Sequence, residues 1–427
     1  MLYKFHPAVI VRAEEKASMF FQKKIADTTL VSFEAIDAFL EHFKSKEDIP
    51  KELLHHFITR GYLIPARNKS EQKQDLELLE EIREQAKIRK SPLNSLYAPE
   101  TIHFSLTNAC NQKCIGCFYS RGEVEEEKYL DSSMFESITK KANELQVFQY
   151  ALGGGEPLLH ENIVEFCYLS TESNIIPNIT TNGNLFTKEL AKEFKQAKLG
   201  QIQFSLNGSE ETINKDTRPN FKKTMNAIKI AREANLRWGI NFLVTKRNIS
   251  DVPAMILLAN KLGAETLNFL RIKPPIAEGN TWVQNESLSS HEHLKLHEML
   301  KNQSSITRLT VDASFCFLFN HLSSEEMYSR GMWGCAAAQR FCTISPFGHV
   351  LACSHMHHHW DVENGDFDKA WRESKVFQKF RELNSTITGP CSSCSIKPTC
   401  KGCRAVVELI TDDFWASDTQ CPKNNNQ

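Results

Sequence analysis

The chain has 427 residues and carries 51 Lys and Arg against 52 Asp and Glu, a net charge of −1. That length suits two or three domains with a sizeable core, and the balanced charge gives no electrostatic footing for nucleic acid or a membrane surface. No apolar run approaches bilayer-spanning length and the first residues carry no signal-peptide pattern, so the thirteen cysteines argue for a reducing, cytoplasmic setting and for metal binding over disulfides, with Cys167 and Cys316 outside the motifs.

Residues 1–68 read as a small domain. Short apolar segments at 8–11 and 19–22 flank Arg12-Ala13-Glu14-Glu15-Lys16, a hairpin pattern. Ser32 is placed to cap a helix carrying Phe33, Ile36, Leu40 and Phe43, and Pro50 to open a second through Leu53, Leu54 and Phe57 that ends near Gly61. A third strand at 62–64 completes a winged-helix-like unit. Residues 69–98 form a linker, with Leu76, Leu79, Ile82 and Ala86 on one stripe of a charged helix.

From residue 102 to about 272 strand and helix patterns alternate. Strands are expected near 102–106, 148–152, 177–181, 201–206, 238–244 and 266–270, with helices at 134–145, 163–169, 221–234 and 252–262. Six such units predict an α/β fold, a parallel sheet with helices outside and its site at the C-terminal strand ends. Four motifs fall at those ends: Cys110, Cys114 and Cys117 in a C-x3-C-x2-C triplet; Gly153-Gly154-Gly155-Glu156-Pro157; Thr180-Thr181-Asn182-Gly183; and Phe204-Ser205-Leu206-Asn207-Gly208. Structural zinc and ferredoxin clusters take four protein ligands. Three thiolates would leave one iron of a four-iron cluster open to an outside chelator. The glycines permit close backbone approach, and Glu156 offers a carboxylate to an ammonium group. Asn182 and Gly183 also suit a plain turn.

The C-terminal third is dense in cysteine. Cys391, Cys394, Cys400 and Cys403 are followed by Cys421, and Cys335, Cys342 and Cys353 stand upstream, with Gly348 five residues before the last. Eight thiols suffice for two four-ligand clusters, or alternatively for two zinc knuckles. Cys167, within an apolar helix pattern, and Cys316, between Phe315 and Phe317, read as core thiols. His355-Met356-His357-His358-His359 reads as a solvated turn before Asp361.

The triplet and the GGEP segment resemble those of radical SAM enzymes. That resemblance implies a partial TIM-like (β/α)6 barrel over 99–308 and a [4Fe-4S] cluster on Cys110, Cys114 and Cys117 whose open iron holds S-adenosylmethionine. It also implies site roles: Glu156, beside Gly154 and Gly155, for the methionine amine; Ser205 and Asn207 for ribose or carboxylate; Arg218 for the carboxylate; and Leu270 for adenine, with Asn182 and Phe118 as further cofactor neighbours. The family usually places an aromatic before the third cysteine; here Gly116 stands there, and Phe118 and Tyr119 follow.

Residues 309–427 resemble the SPASM extension of that family, with two residues instead of three between Cys400 and Cys403. The resemblance assigns Cys335, Cys342, Cys353 and Cys403 to one auxiliary cluster and Cys391, Cys394, Cys400 and Cys421 to another, with relatives leaving the Cys342 position open. Three clusters, fed by an external donor such as flavodoxin or ferredoxin, imply an oxidative crosslink (thioether, C–C or C–O). The N-terminal domain is similar to peptide-recognition domains fused to maturases of ribosomally made peptides, in which a leader peptide adds a strand to a sheet edge. The expected function is therefore a radical SAM peptide maturase acting on a ribosomal precursor. A peptide epimerase using Cys316 or Cys167 as hydrogen donor, and a non-catalytic zinc-stabilised peptide-binding protein, are the alternatives. Sulfatase-maturing relatives carry an aspartate after the third upstream cysteine, where this chain has Ser354.

Overall fold

The computed structural model describes residues 2–45, 47–119, 126–275, 279–356 and 363–425, and the chain divides into two units, Met1–Ala98 and Pro99–Gln427. Its first unit contains β1 (Tyr3–Phe5), β2 (Val9–Ala13), β3 (Ala17–Gln22), β4 (Asp27–Ser32), α1 (Phe33–Ser45), α2 (Lys51–Thr59), β5 (Leu63–Pro65) and α3 (Lys73–Ile88). An antiparallel sheet runs β2-β3-β4, and β1 pairs with β5 separately. The strand expected at 62–64 thus exists as β5, but the third strand of the main sheet is β4. Its opening Asp27-Thr28-Thr29 is polar and half-buried, as suits an outer strand of the sheet.

Aromatic side chains hold this unit. Phe39 and Phe57 stand 4.7 Å apart and Phe5 and Phe20 5.3 Å apart, centroid to centroid; pairs of this kind add roughly 0.5–1.5 kcal/mol beyond burial. The Ser32 hydroxyl accepts the Ala35 N–H at the start of α1. Leu79, Ile82 and Ala86 of α3 are buried in the same core, so the helix expected as a spacer packs within the first unit.

The second unit is built on one sheet of ten strands among the described residues. They are β6 (Thr101–Ser105), β7 (Gln149–Gly153), β8 (Ile176–Thr181), β9 (Gln201–Ser205), β10 (Trp238–Leu243), β11 (Thr266–Leu270), β12 (Arg308–Val311), β13 (Phe341–Ile344), β14 (His349–Leu351) and β15 (Glu363–Asn364). The order is β12-β11-β10-β9-β8-β7-β6-β13-β14-β15, parallel from β12 to β13 and antiparallel beyond. All six expected strands are present within a residue or so. Two further parallel strands extend them, and β13 comes from the cysteine-rich third, pairing Cys342 with Ile102 of β6.

Helices α4 (Ser132–Glu144), α5 (Ile163–Glu172), α6 (Lys188–Gln196), α7 (Glu211–Asn214), α8 (Phe221–Glu233) and α9 (Val252–Leu262) follow the first strands. The Asp131 carboxylate caps α4 at Met134 N–H, and Gly263 closes α9 in the left-handed conformation. Ile102, Phe104, Tyr150, Leu152, Ile202, Phe204, Ile240 and Phe242 are buried between sheet and helices. Among the described residues no helix is long and apolar enough to cross a membrane. His357–His359 and Asp361 lie outside the described residues; Met356 is buried and His355 half-buried.

Candidate active site

The triplet follows β6 at the C-terminal edge of the sheet. Burial pushes the Cys110 thiol up to about 11; the Gln112 N–H opposes this, and the charges of Glu156, Cys114 and Cys117 add to it. The three sulfurs and one carboxylate therefore share one electrostatic neighbourhood, and a bound cation would relieve their repulsion. The backbone around them is fixed by the glycine segment. Gly155 N–H donates to Thr107 O at 2.7 Å and Glu156 N–H to Ala109 O at 2.9 Å. A Cβ on Gly155 would stand 2.0 Å from Ala109 O, and one on Gly154, at φ +116°, 2.5 Å from Thr107 O. These glycines thus admit the loop that carries Cys110, a close approach within the protein itself.

Glu156 is 1% exposed. Oε1 accepts from Leu158 N–H at 3.1 Å and Thr181 Oγ1 at 2.6 Å, and Oε2 from Asn182 N–H at 2.8 Å. Burial raises its pKa, while those hydrogen bonds and the Arg218 charge hold it down. Such a buried carboxylate, oriented by three donors, suits a cationic ligand. Arg218 donates weakly to Gln112 at 3.4 Å, and its buried Nε has no partner, which suits an anionic group.

The remaining expected residues divide. Asn182 uses its amide inside the protein: Nδ2 donates to Asn111 and lies 4.0 Å from Cys110 Sγ, while Oδ1 accepts Asn184 N–H in a turn. Asn207 is similarly engaged, with Nδ2 donating to Thr217 and Oδ1 accepting Leu243 N–H. Ser205 and Leu270 are half-buried at the ends of β9 and β11. Phe118 packs edge-on against His355, 4.3 Å between centroids, linking the triplet loop to the segment after Cys353. Sequence reasoning missed Trp282 of α10 (Gly279–Glu286). Its indole lies against Gly116, and its buried Nε1 has no partner. The signal was the absent aromatic at 116, but no local pattern names the residue that fills the space.

Residues 104–259 match the sequence pattern of the Radical SAM superfamily. The chain is a radical SAM enzyme. It is 26% identical to the mycofactocin maturase MftC of Mycobacterium tuberculosis (strain CDC 1551 / Oshkosh) over 343 residues, 78% of this chain and 85% of that one. It is 24% identical to the AdoMet-dependent heme synthase of Methanosarcina barkeri (strain Fusaro / DSM 804), across 76% of this chain and 96% of that one. Its fold is that of Streptococcus suis SuiB: the structure of SuiB bound to precursor peptide SuiA matches with a TM-score of 0.72 at 16% identity, covering 98% of this chain and all of that one.

In this radical SAM enzyme the C-terminal thiols form two groups. Cys335, Cys353 and Cys403 act on one another electrostatically, and burial pushes Cys353 up to about 12. The cationic side chains of Lys401 and Arg404 bear on Cys335 and that of Lys273 on Cys353. Cys391, Cys394, Cys400 and Cys421 line one cavity together with Asp418 and Lys401; burial raises Cys421 to about 12, and Asp418, Cys400 and Cys391 add to this. Cys342 is fully buried on β13, where it interacts with Arg381 and Tyr150. Among the described residues no three His, Cys, Asp or Glu converge on a single ion; in a four-iron cluster each cysteine binds its own iron.

The two thiols outside these sets are engaged in the interior. Cys167 is fully buried on α5, where burial raises its pKa strongly. Cys316, in the turn Ala313–Phe319, hydrogen-bonds Cys400.

Proposed function

We propose that this enzyme is an oxidative maturase of a ribosomally made peptide, forming a thioether, C–C or C–O crosslink. The observation that carries the reading is the gathering of the C-terminal thiols into two groups apart from the triplet. They fit two auxiliary [4Fe-4S] clusters: Cys335, Cys353 and Cys403 would hold one, and Cys391, Cys394, Cys400 and Cys421 the other. Buried cations beside the first group and a cavity at the second support that fit. When bound, S-adenosylmethionine on the open iron supplies a hydrogen-abstracting 5′-deoxyadenosyl group, and the auxiliary clusters supply an acceptor for the electron left when the new bond closes.

The protein's own residues bind and orient. Thr181 Oγ1 and the N–H groups of Leu158 and Asn182 fix the Glu156 carboxylate for the methionine ammonium. Arg218 would offer its unpartnered Nε to the methionine carboxylate, and Ser205 and Leu270, at their strand ends, would serve the nucleoside. Gly154 and Gly155 hold the cysteine loop against β7.

The first unit would grip the leader. β4 is an outer strand of its sheet, with Leu30 exposed on β4 and Ile58 exposed on α2, and an extended peptide can add a strand at such an edge. SuiB, which shares the fold across 98% of this chain, has been crystallised with its precursor peptide. A flavodoxin or ferredoxin as electron donor, and a cytoplasmic setting, complete the proposal.

The test is anaerobic incubation of the iron-loaded enzyme with its precursor, S-adenosylmethionine and reductant. Loss of two hydrogens per crosslink, one leaving with the deoxyadenosyl fragment and one as a proton, is expected. Release of 5′-deoxyadenosine with peptide of unchanged mass would refute the crosslinking reading.

A further inference from the structure

Arg404 follows Cys403 and opens the helix Arg404–Thr411. Its side chain is 1% exposed. Nη1 donates to the carbonyls of Phe414 and Ala416, each at 2.8 Å. Nε and Nη2 are buried and have no hydrogen-bond partner. A guanidinium carries its five N–H donors in a fixed fork, and an orphaned Nε and Nη2 on a buried cation are costly unless an acceptor meets them.

The nearby carboxylate is already engaged. Asp418 accepts from both Nη atoms of Arg271 at 2.8 Å, from Cys403 N–H at 3.1 Å and from Gln420 N–H at 3.1 Å. The Arg404 charge acts on Asp418 and also reaches Cys335, which in turn feels Cys403. Gly402 leaves the guanidinium its space: a Cβ there would stand 2.7 Å from Nη2. The fork is thus buried and half satisfied, it follows Cys403 directly in the chain, and its charge bears on Cys335, which shares a group with Cys353 and Cys403.

We propose that Arg404 donates Nε–H and Nη2–H to sulfur of the cluster held by Cys335, Cys353 and Cys403, and thereby raises its reduction potential. This rests on the auxiliary-cluster reading above. Hydrogen bonds to cluster sulfur and a buried positive charge both favour the reduced, more negative state. Arg404 acts as a positioning residue, setting how readily that site takes an electron.

The experiment uses full-length protein with Cys110, Cys114 and Cys117 replaced by alanine, so that auxiliary signals stand alone. Iron and sulfide are assayed, and reduction is titrated by electron paramagnetic resonance. Arg404→Gln is expected to retain both clusters and to lower one midpoint by a tenfold change in the redox equilibrium, ~59 mV for one electron. Arg404→Lys keeps the charge but loses the fork, and the same midpoint is expected to fall by less; it decides the matter if the glutamine variant does not fold. Unmoved midpoints at unchanged iron content would overturn the role of Arg404 alone. A parent protein holding fewer than two clusters would overturn the cluster reading beneath it.

Discussion

The indole of Trp282 lies 2.1 Å from where a Cβ on Gly116 would stand. Gly116 sits at φ +73° directly before Cys117, so an aromatic ring from α10 occupies the space beside the third cysteine of the triplet. Gly116→Ala therefore meets a left-handed backbone cost of about 1–2 kcal/mol and a collision with the ring. The expected result is weaker S-adenosylmethionine binding and less iron in the triplet, partly restored by Trp282→Ala in the same chain. Equal iron and affinity in Gly116→Ala would show that the contact does not matter.

Glu156→Gln should weaken S-adenosylmethionine binding by roughly 10- to 100-fold, the scale of a charged hydrogen bond of about 1.5–3 kcal/mol. Burial raises the Glu156 carboxyl above its ordinary range, so the empty site resists ionisation, and an ammonium group reverses that. Affinity should rise as pH climbs through the carboxyl's pKa and then level off. Calorimetry from pH 5 to 8 would test this; a pH-dependence that persists in Glu156→Gln assigns it to another group.

Arg271 and Asp418 form a buried pair, each 3% exposed in its side chain. Burial pushes the Asp418 carboxyl up, but the charge and hydrogen bonds of Arg271 prevail and hold it at about 2. With its folded pKa depressed, Asp418 stabilises the fold above its ordinary pKa and loses that contribution as pH falls toward 2. Asp418→Asn is expected to cost about 3–5 kcal/mol, as when one partner of a buried pair is removed. Denaturant unfolding at neutral pH measures it, and a loss below 1 kcal/mol contradicts it.

Cys342 and Cys353 should part company on mutation. Cys342 interacts with Arg381 and Tyr150, whereas Cys335, Cys353 and Cys403 act on one another. Cys342→Ala is expected to keep the full iron content, and Cys353→Ala to lose iron. Iron loss in Cys342→Ala would make it a ligand after all.

Leu30→Lys on β4 should weaken binding of the precursor's leader at least tenfold while leaving S-adenosylmethionine affinity intact. Fluorescence anisotropy with a labelled leader peptide reads the first, calorimetry the second. A variant that binds leader normally moves the docking edge elsewhere.

Much of this was legible locally. The alternation of six strands with helices fixes side-chain periodicity within short windows, so β6 to β11 stand where their patterns lie. The cysteine triplet and Glu156 were visible because their residue types and spacing are themselves chemical. β4 escaped because edge strands tolerate polar residues, and β12 and β13 escaped because their segments carry little periodicity outside the sheet they complete.

The roles of the glycines also changed with the third dimension. Gly154 and Gly155 announce close backbone approach in sequence, but only packing shows that Thr107 and Ala109 are what approach.

By itself the sequence determined the chemistry this chain can offer: three thiolates without a fourth, a carboxylate after glycines, and eight further thiols. These are properties of residue type and short spacing, which survive without a fold. Tertiary structure alone brought the C-terminal thiols into groups, put Cys342 with Arg381, brought Trp282 onto Gly116 and left Nε and Nη2 of Arg404 buried without a partner. Those are meetings between residues distant in sequence or choices of sheet face, and they are set by packing around a shared core.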